Sequence, residues 1–307
     1  MPDRPTRFKR PTLLIVGCGD VGLRVAKGLA GRWRVVALTS SPARLPILRA
    51  AGIVPLVGDL DRPATLARLA DVADAVLHLA PPAAEGERDS RTAQLVRALA
   101  RSHRIRRVVY ASTTGVYGDC HGERVVETRP LRPASDRARL RVDAEARVRW
   151  LGRATGAAAT ILRIPGIYAL DREGGDPRER VRRGTPLLTR EDDVFTNHIH
   201  ADDLARACVA ALHRGPRQRA INVADDSEMK MGDYFELVAD RFELPRPSRL
   251  SRAEAARVLS PMQMSFLDES RRLSNARMKA ELRLVLRHPT VIEGLSSVSR
   301  ERPRERE

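Results

Sequence analysis

The stretch at 13–22, LLIVGCGDVG, constrains the fold more than any other. An apolar run at 12–16 ends on three glycines spaced G-x-G-x-x-G (Gly17, Gly19, Gly22) and passes at once into a helical pattern over 21–30. A strand that turns so sharply into a helix is the first half of a βαβ unit. The chain then keeps alternating, with short apolar runs at 34–38, 53–57, 75–79, 107–111 and 158–164 and helical patterns at 42–51, 63–69, 87–102 and 135–155. Strands that are apolar on both faces need helices on both sides. The expectation is an α/β fold, a doubly wound parallel sheet.

Beyond residue 170 the rhythm breaks into a Gly/Pro/charge-rich stretch, ALDREGGDPRERVRRGTP, and then into helical segments around 202–212, 231–242, 251–259 and 275–282, with one more strand at 220–223. This predicts a nucleotide-binding domain over 11–170 plus 196–225 and a smaller, mostly helical domain over 171–195 plus 226–298, which would set the substrate. The closing 299–307, ending RERPRERE, reads as a solvated, disordered tail.

Composition removes several classes. The apolar run at 13–16 is too short for a signal-peptide core or a membrane span, so a cytoplasmic location and no membrane partner are expected. Three cysteines (Cys18, Cys120, Cys208) with no C-x-x-C suggest free thiols, with no disulfide framework and no metal site. The net charge of +16 raises nucleic-acid binding. Yet lysine occurs only at positions 9, 27, 230 and 279, and the arginines are interleaved with 39 acidic residues. A compositional preference for arginine accounts for the excess, so a small-molecule substrate is expected instead.

The glycine motif has a physical use. Gly17 makes the tight turn, Gly19 lets backbone approach a pyrophosphate and Gly22 permits close helix packing, while Cys18, Asp20 and Val21 put backbone N–H groups at the helix start. This is the dinucleotide site of a Rossmann-type fold. At the end of the second strand, where a carboxylate would hold the adenosine ribose of NAD, the chain has Thr39, Ser40, Ser41 and Arg44. Hydroxyls and an arginine suit a 2′-phosphate, so NADP is favoured and NAD comes second. Asp59 and Leu60 close the third strand where an adenine could rest, and Leu79, Ala80 and Pro81 close the fourth near the pyrophosphate.

Further stretches, RRVVYASTTGVYGD, TILRIPGIYA, TNHIHADDLARACVAAL and AINVADD, resemble in order the extended short-chain dehydrogenase/reductase family, the NAD(P)-dependent epimerase/dehydratase group. The resemblance runs over about residues 12–295. It implies that Pro165, Gly166 and Ile167 pass the nicotinamide, and that the chain dimerises through helices near 87–102 and 135–154. It also implies a Ser/Thr at Thr113 and a Tyr and Lys spaced Y-x-x-x-K.

Here the chain departs from the family it resembles. Counting from Val116 and Glu145 leaves Thr113 intact but puts Arg137 in the tyrosine position and Arg141 in the lysine position, both in PASDRARLRVDAEARVRW. No Y-x-x-x-K occurs, since Tyr110, Tyr117, Tyr168 and Tyr234 are followed four places on by Thr114, His121, Arg172 and Val238. On a helix of about 100° per residue, Leu140, Ala144, Val148 and Leu151 form the inward face, with Arg137 inside that arc and Arg141 at its edge. Arg141 could hold a ribose hydroxyl. Arg137 cannot replace tyrosine as acid/base, because a guanidinium stays protonated, but it could grip an anionic substrate. Asp89, Tyr117, Asn197 and His198 are candidate substrate contacts, and His198 and His200 candidate proton shuttles. Two readings follow: an oxidoreductase or epimerase with an atypical site, or a non-catalytic NADP(H)-binding sensor or scaffold.

Overall fold

The computed structural model describes residues 10–83 and 86–296, so the 299–307 tail lies outside the described residues. Seven strands make one sheet: β1 (Thr12–Val16), β2 (Arg34–Thr39), β3 (Val54–Val57), β4 (Ala75–His78), β5 (Arg107–Thr113), β6 (Ala158–Ile164) and β7 (Arg219–Asn222). Their order is β7-β6-β5-β4-β1-β2-β3, and every pairing is parallel. The order reverses between β1 and β4, and a crevice opens there at the carboxyl ends of the strands.

Alternation along β1 shows why the sheet is covered twice. Leu13 and Ile15 pack with Val25 and Leu29 of α1 (Asp20–Leu29). Leu14 and Val16 point the other way and share a cluster with Leu95 and Leu99 of α3 (Ser90–Leu99) and Ala144, Val148 and Leu151 of α4 (Asp136–Thr155). The predicted inward face of α4 is therefore the buried one. Between α1 and α3 runs α2 (Leu45–Ala50). The predicted helix at 42–51 is broken, because Pro42 and Pro46 each occupy a first-turn position, so a 3₁₀ turn Pro42–Arg44 precedes α2. The predicted 63–69 helix is a 3₁₀ turn at Pro63–Leu66.

The later chain supplies α5 (Pro177–Arg182), α6 (Ala201–Arg214), α7 (Met231–Arg241), α8 (Arg252–Val258), α9 (Pro261–Leu267), α10 (Ala276–Glu281) and α11 (Val291–Leu295). Helix α6 packs with α1 on the sheet. A separate cluster gathers Tyr168, Leu187, Leu188, Tyr234, Phe235, Val238, Leu267 and Val291. The segment expected to lie wholly in the smaller unit is divided, since Met278, Leu282, Leu284 and Leu286 are buried with α1 and α6 instead. A short parallel pair joins Gly166–Tyr168 to His198–His200, setting Gly166 beside His198 and Tyr168 beside His200. No helix among the described residues is long and apolar enough to cross a membrane.

Candidate functional site

The glycine loop is built as the spacing demands. Gly17 has φ +84°, and a Cβ there would lie 2.4 Å from the backbone nitrogen of Ala80. The end of β4 is held against the loop because the N–H groups of Leu79 and Ala80 both donate to Val16 O, at 2.8 and 3.0 Å. A Cβ on Gly19 would meet nothing within 4 Å, whereas one on Gly22 would press 3.0 Å from Cys18 Sγ. Helix α1 starts at Gly19 with no side-chain cap, so its first-turn N–H groups and dipole face open space suited to an anion. Cys18 is buried in the core beside α1, and burial pushes its thiol up to about 11.

Arg44 reaches back across this loop, donating from Nη2 to Cys18 O at 2.7 Å. Ser41 N donates to Thr39 Oγ1 at 3.2 Å and Ser40 is exposed beside them, so the end of β2 carries hydroxyls and a guanidinium next to the loop. Asp59 is occupied locally, accepting from Asp61 N at 2.9 Å. Leu60 is a core residue packed with Leu38, and Pro81 is exposed.

From the loop an open cleft of about 930 Å³ runs past Leu79, Thr113, Arg137, Arg141 and Pro165–Gly166–Ile167 to α7. The structure thus brings the glycine loop, Thr113, Arg137 and Arg141 to one cavity. Arg141 spends part of its fork on β5, donating to Ala111 O at 2.7 Å and Tyr110 Oη at 3.1 Å. Arg137 differs from its predicted inward place. It sits in the first turn of α4, exposed at the cleft with its guanidinium 5.1 Å over the Phe266 ring.

Sequence reasoning missed a carboxylate of this cleft whose charge reaches Arg137. Glu269 lines the cleft, held by Arg271 Nη1 at 2.7 Å, which also donates to Gly118 O at 2.7 Å. Its Oε2 lies 3.8 Å from where a Gly115 Cβ would stand, and Thr113 Cγ2 lies 3.7 Å from the same point. Nothing in the spacing of SFLDESRRL signals this, because only the fold returns the segment to β5. Arg180 was missed for the same reason; it stacks 4.4 Å over Phe235, with Nε unpartnered, on the far wall of the cleft.

Two proposed substrate contacts lie elsewhere. The 3₁₀ turn Thr114–Tyr117 carries Tyr117 under the end of the sheet, where its hydroxyl donates to Asn222 Oδ1 at 2.7 Å and accepts from Arg163 at 2.9 Å. Asp89 is the buried N-cap of α3, accepting from Thr92 N at 3.1 Å and Thr92 Oγ1 at 2.5 Å. This cap starts the helix later than the predicted 87. Asn197 borders the cleft, but its amide is used at both ends, on Arg271 O at 2.9 Å and Leu273 N at 2.8 Å.

The histidines make poor proton shuttles. His198 reaches the cleft but is buried, with its ring 3.9 Å from that of Tyr234, and burial pulls it down to about 3. His200 accepts from Asp202 N at 3.2 Å, and burial pulls it to about 4.

Behind them Asp225 is buried, with Oδ1 on Ser227 N at 2.9 Å and Oδ2 unpartnered, and burial pushes it up to about 8 from 3.8. The native chain therefore keeps a proton that the unfolded chain releases across about pH 4 to 8, so this group's contribution to stability falls as pH rises through that window. Asp225→Asn should flatten the decline. Thermal unfolding of both proteins near pH 5 and pH 8.5 checks it, and equal slopes would refute it.

A family model described as NAD(P)H-binding matches residues 17–215, from the glycine loop to the end of α6. The chain belongs to the NAD(P)H-binding family. Its relative protein YeeZ of Escherichia coli (strain K12) is 33% identical over 245 residues, covering 76% of this chain and 84% of that protein. A conserved protein of unknown function from Silicibacter pomeroyi DSS superposes with a TM-score of 0.81 at 29% identity, over 94% of this chain and 98% of that one. A dTDP-glucose 4,6-dehydratase from Bacillus anthracis, in complex with NAD, shares the fold at a TM-score of 0.76 and 15% identity, over 94% and 95% of the two chains. The NAD(P)H-binding assignment agrees with the loop geometry, and the fold is the one shared with the NAD-bound dehydratase.

Proposed function

We propose that this protein is an NADP(H)-dependent oxidoreductase or epimerase-like enzyme acting on an anionic carbonyl or hydroxyl substrate, with arginines where its family has Tyr and Lys. The observation that carries the reading is the single cleft joining the open glycine loop to Thr113, Arg137, Arg141 and Glu269. Arg44, strapped to the loop by one nitrogen, has further donors for a 2′-phosphate, which supports NADP over NAD. When bound there, the nicotinamide would supply the redox couple. The protein's own residues do the rest. Thr113 orients a substrate oxygen, Arg137 and Arg180 offer guanidinium donors to an anionic group, and Arg141 is fixed to β5 beside them. Glu269, which lines the same cleft as Thr113, is the carboxylate that would serve as acid/base, and Arg271 positions it. A homodimer through α3 and α4 in the cytoplasm completes the reading.

The sensor alternative draws on one observation: Arg141 is committed to Ala111 O and Tyr110 Oη. The test is a paired NADPH and NADH titration by nicotinamide fluorescence, then turnover on a panel of anionic carbonyl compounds. NADPH should bind more tightly, and Arg44→Ala should weaken it about tenfold or more while changing NADH by about twofold or less. Glu269→Gln should lower turnover by roughly 100-fold or more. Tight binding with no turnover across the panel would favour the sensor, and no binding of either dinucleotide would end both readings.

A further inference from the structure

We infer that His200, Asp202 and His288 form a binding site for a divalent transition-metal ion of zinc's class, at the start of α6 and apart from the substrate cleft. Each offers a donor atom, and the three atoms lie within 4.8 Å of one another. The two imidazole rings face each other at 3.8 Å, tilted by 37°. Two imidazoles and one carboxylate are a donor set that suits zinc or its neighbours, with a fourth position left for water.

Each donor is held by a different part of the fold. His200 ends the short strand His198–His200, and its Nδ1 accepts only a long bond, 3.2 Å, from Asp202 N. That nitrogen is unprotonated, so a metal there would need no change of tautomer and would take the lone pair from the long cap bond to Asp202 N. Asp202 Oδ1 is taken by Arg24 at 2.6 Å, while Oδ2 lies 4.0 Å from His200 Nδ1. His288 is placed by its backbone, whose N–H donates to Asp203 Oδ2 at 2.8 Å, and Arg287 N bonds the same carboxylate at 2.9 Å. Asp203, also paired with Arg206 at 2.6 Å, has no capacity left and is not a ligand.

Arg24 acts behind this set as the group that orients the carboxylate. Its other nitrogens bind Asp171 at 2.7 Å and Asp20 at 3.0 Å, so the guanidinium fixes Asp202 without covering Oδ2. Asp202 is 44% accessible at its side chain, which leaves a route for an ion. Zinc donors at about 2.0 to 2.1 Å stand about 3.3 Å apart. Closing the set from its present spacing therefore brings its most distant donors about 1.5 Å nearer, with the two stacked rings swinging apart so that their in-plane lone pairs converge on the ion.

The test uses the full chain after dialysis against a chelator, with the metal alone as probe. Calorimetry with Zn²⁺ should show one equivalent bound, and Co²⁺ should give the visible bands of a low-symmetry nitrogen and oxygen site. His288→Ala and Asp202→Asn should each weaken binding by about tenfold or more, with circular dichroism confirming that both fold. The conservative His288→Gln covers the case where the alanine variant does not. His103→Ala, an exposed histidine elsewhere, should change nothing. No saturable uptake, or uptake indifferent to His288 and Asp202, would overturn the site and leave Asp202 paired with Arg24. Because the probe is the metal alone, that failure says nothing about dinucleotide binding.

Discussion

Gly17→Ala should abolish dinucleotide binding and destabilise the fold by roughly 2 to 5 kcal/mol. The figure adds about 1 to 2 kcal/mol for forcing a side chain to φ +84° and about 1 to 3 kcal/mol for overpacking. The clash cannot be relieved by a rotamer, since the new Cβ would meet Ala80 N at 2.4 Å and Ala80 Cα at 2.6 Å, both backbone. Ala80 is itself bonded to Val16 O at 3.0 Å, so yielding would pull the end of β4 off β1. Gly19→Ala is the informative partner. Its φ is −84° and its Cβ would meet nothing within 4 Å, so stability should hold while the methyl fills the space proposed for the pyrophosphate. Denaturant unfolding and NADPH titration of both variants separate the two effects. If Gly19→Ala binds NADPH like the parent, the open space is not the phosphate site.

How much could be read from the residues depended on whether the signal was local. G-x-G-x-x-G after an apolar run is a short-range pattern, and the glycine loop took the expected form at Gly17, Gly19 and Gly22. The period-two burial of β1 and the inward face of α4 were legible for the same reason. Counting set Arg137 and Arg141 against the Tyr and Lys that the resemblance implies, yet counting could not show that Arg141 would be tied to Ala111 O or that Arg137, one turn nearer the helix start, would stack over Phe266. Glu269 and Arg180 had no signal, because a lone charged residue in a late segment acquires a role only when the chain folds back. Tyr117 was misplaced because its position in V-Y-G says nothing of which way a 3₁₀ turn aims the ring. The helix limits at Pro46 and Asp89 were set by N-terminal chemistry that hydrophobic periodicity does not carry.

Below that site lies the second large effect. Glu145→Ala should destabilise the protein by about 3 to 5 kcal/mol, the usual cost of leaving a buried partner charge uncompensated. Arg163 and Glu145 are 3% and 2% exposed, joined by Nη2 to Oε2 at 2.8 Å and Nε to Oε1 at 3.1 Å, with Ser112 Oγ donating to Oε1 at 2.7 Å. Arg163 continues the network to Tyr117 Oη at 2.9 Å and Glu127 O at 3.2 Å. The pair thus ties α4 to β5 and β6 one helical turn from Arg141, and the arginine's grip on β5 rests on that tie. A double variant, Glu145→Met with Arg163→Met, should recover most of the loss, because an apolar pair carries no desolvation cost. Unfolding of Glu145→Met, Arg163→Met and the double variant completes a cycle whose coupling term should be about 2 kcal/mol or more. A loss below about 1 kcal/mol in Glu145→Ala would mean that water reaches Arg163, as at an exposed pair. The α4 anchor would then lie in its apolar face of Leu140, Ala144, Val148 and Leu151, and Arg141 would be held by β5 alone.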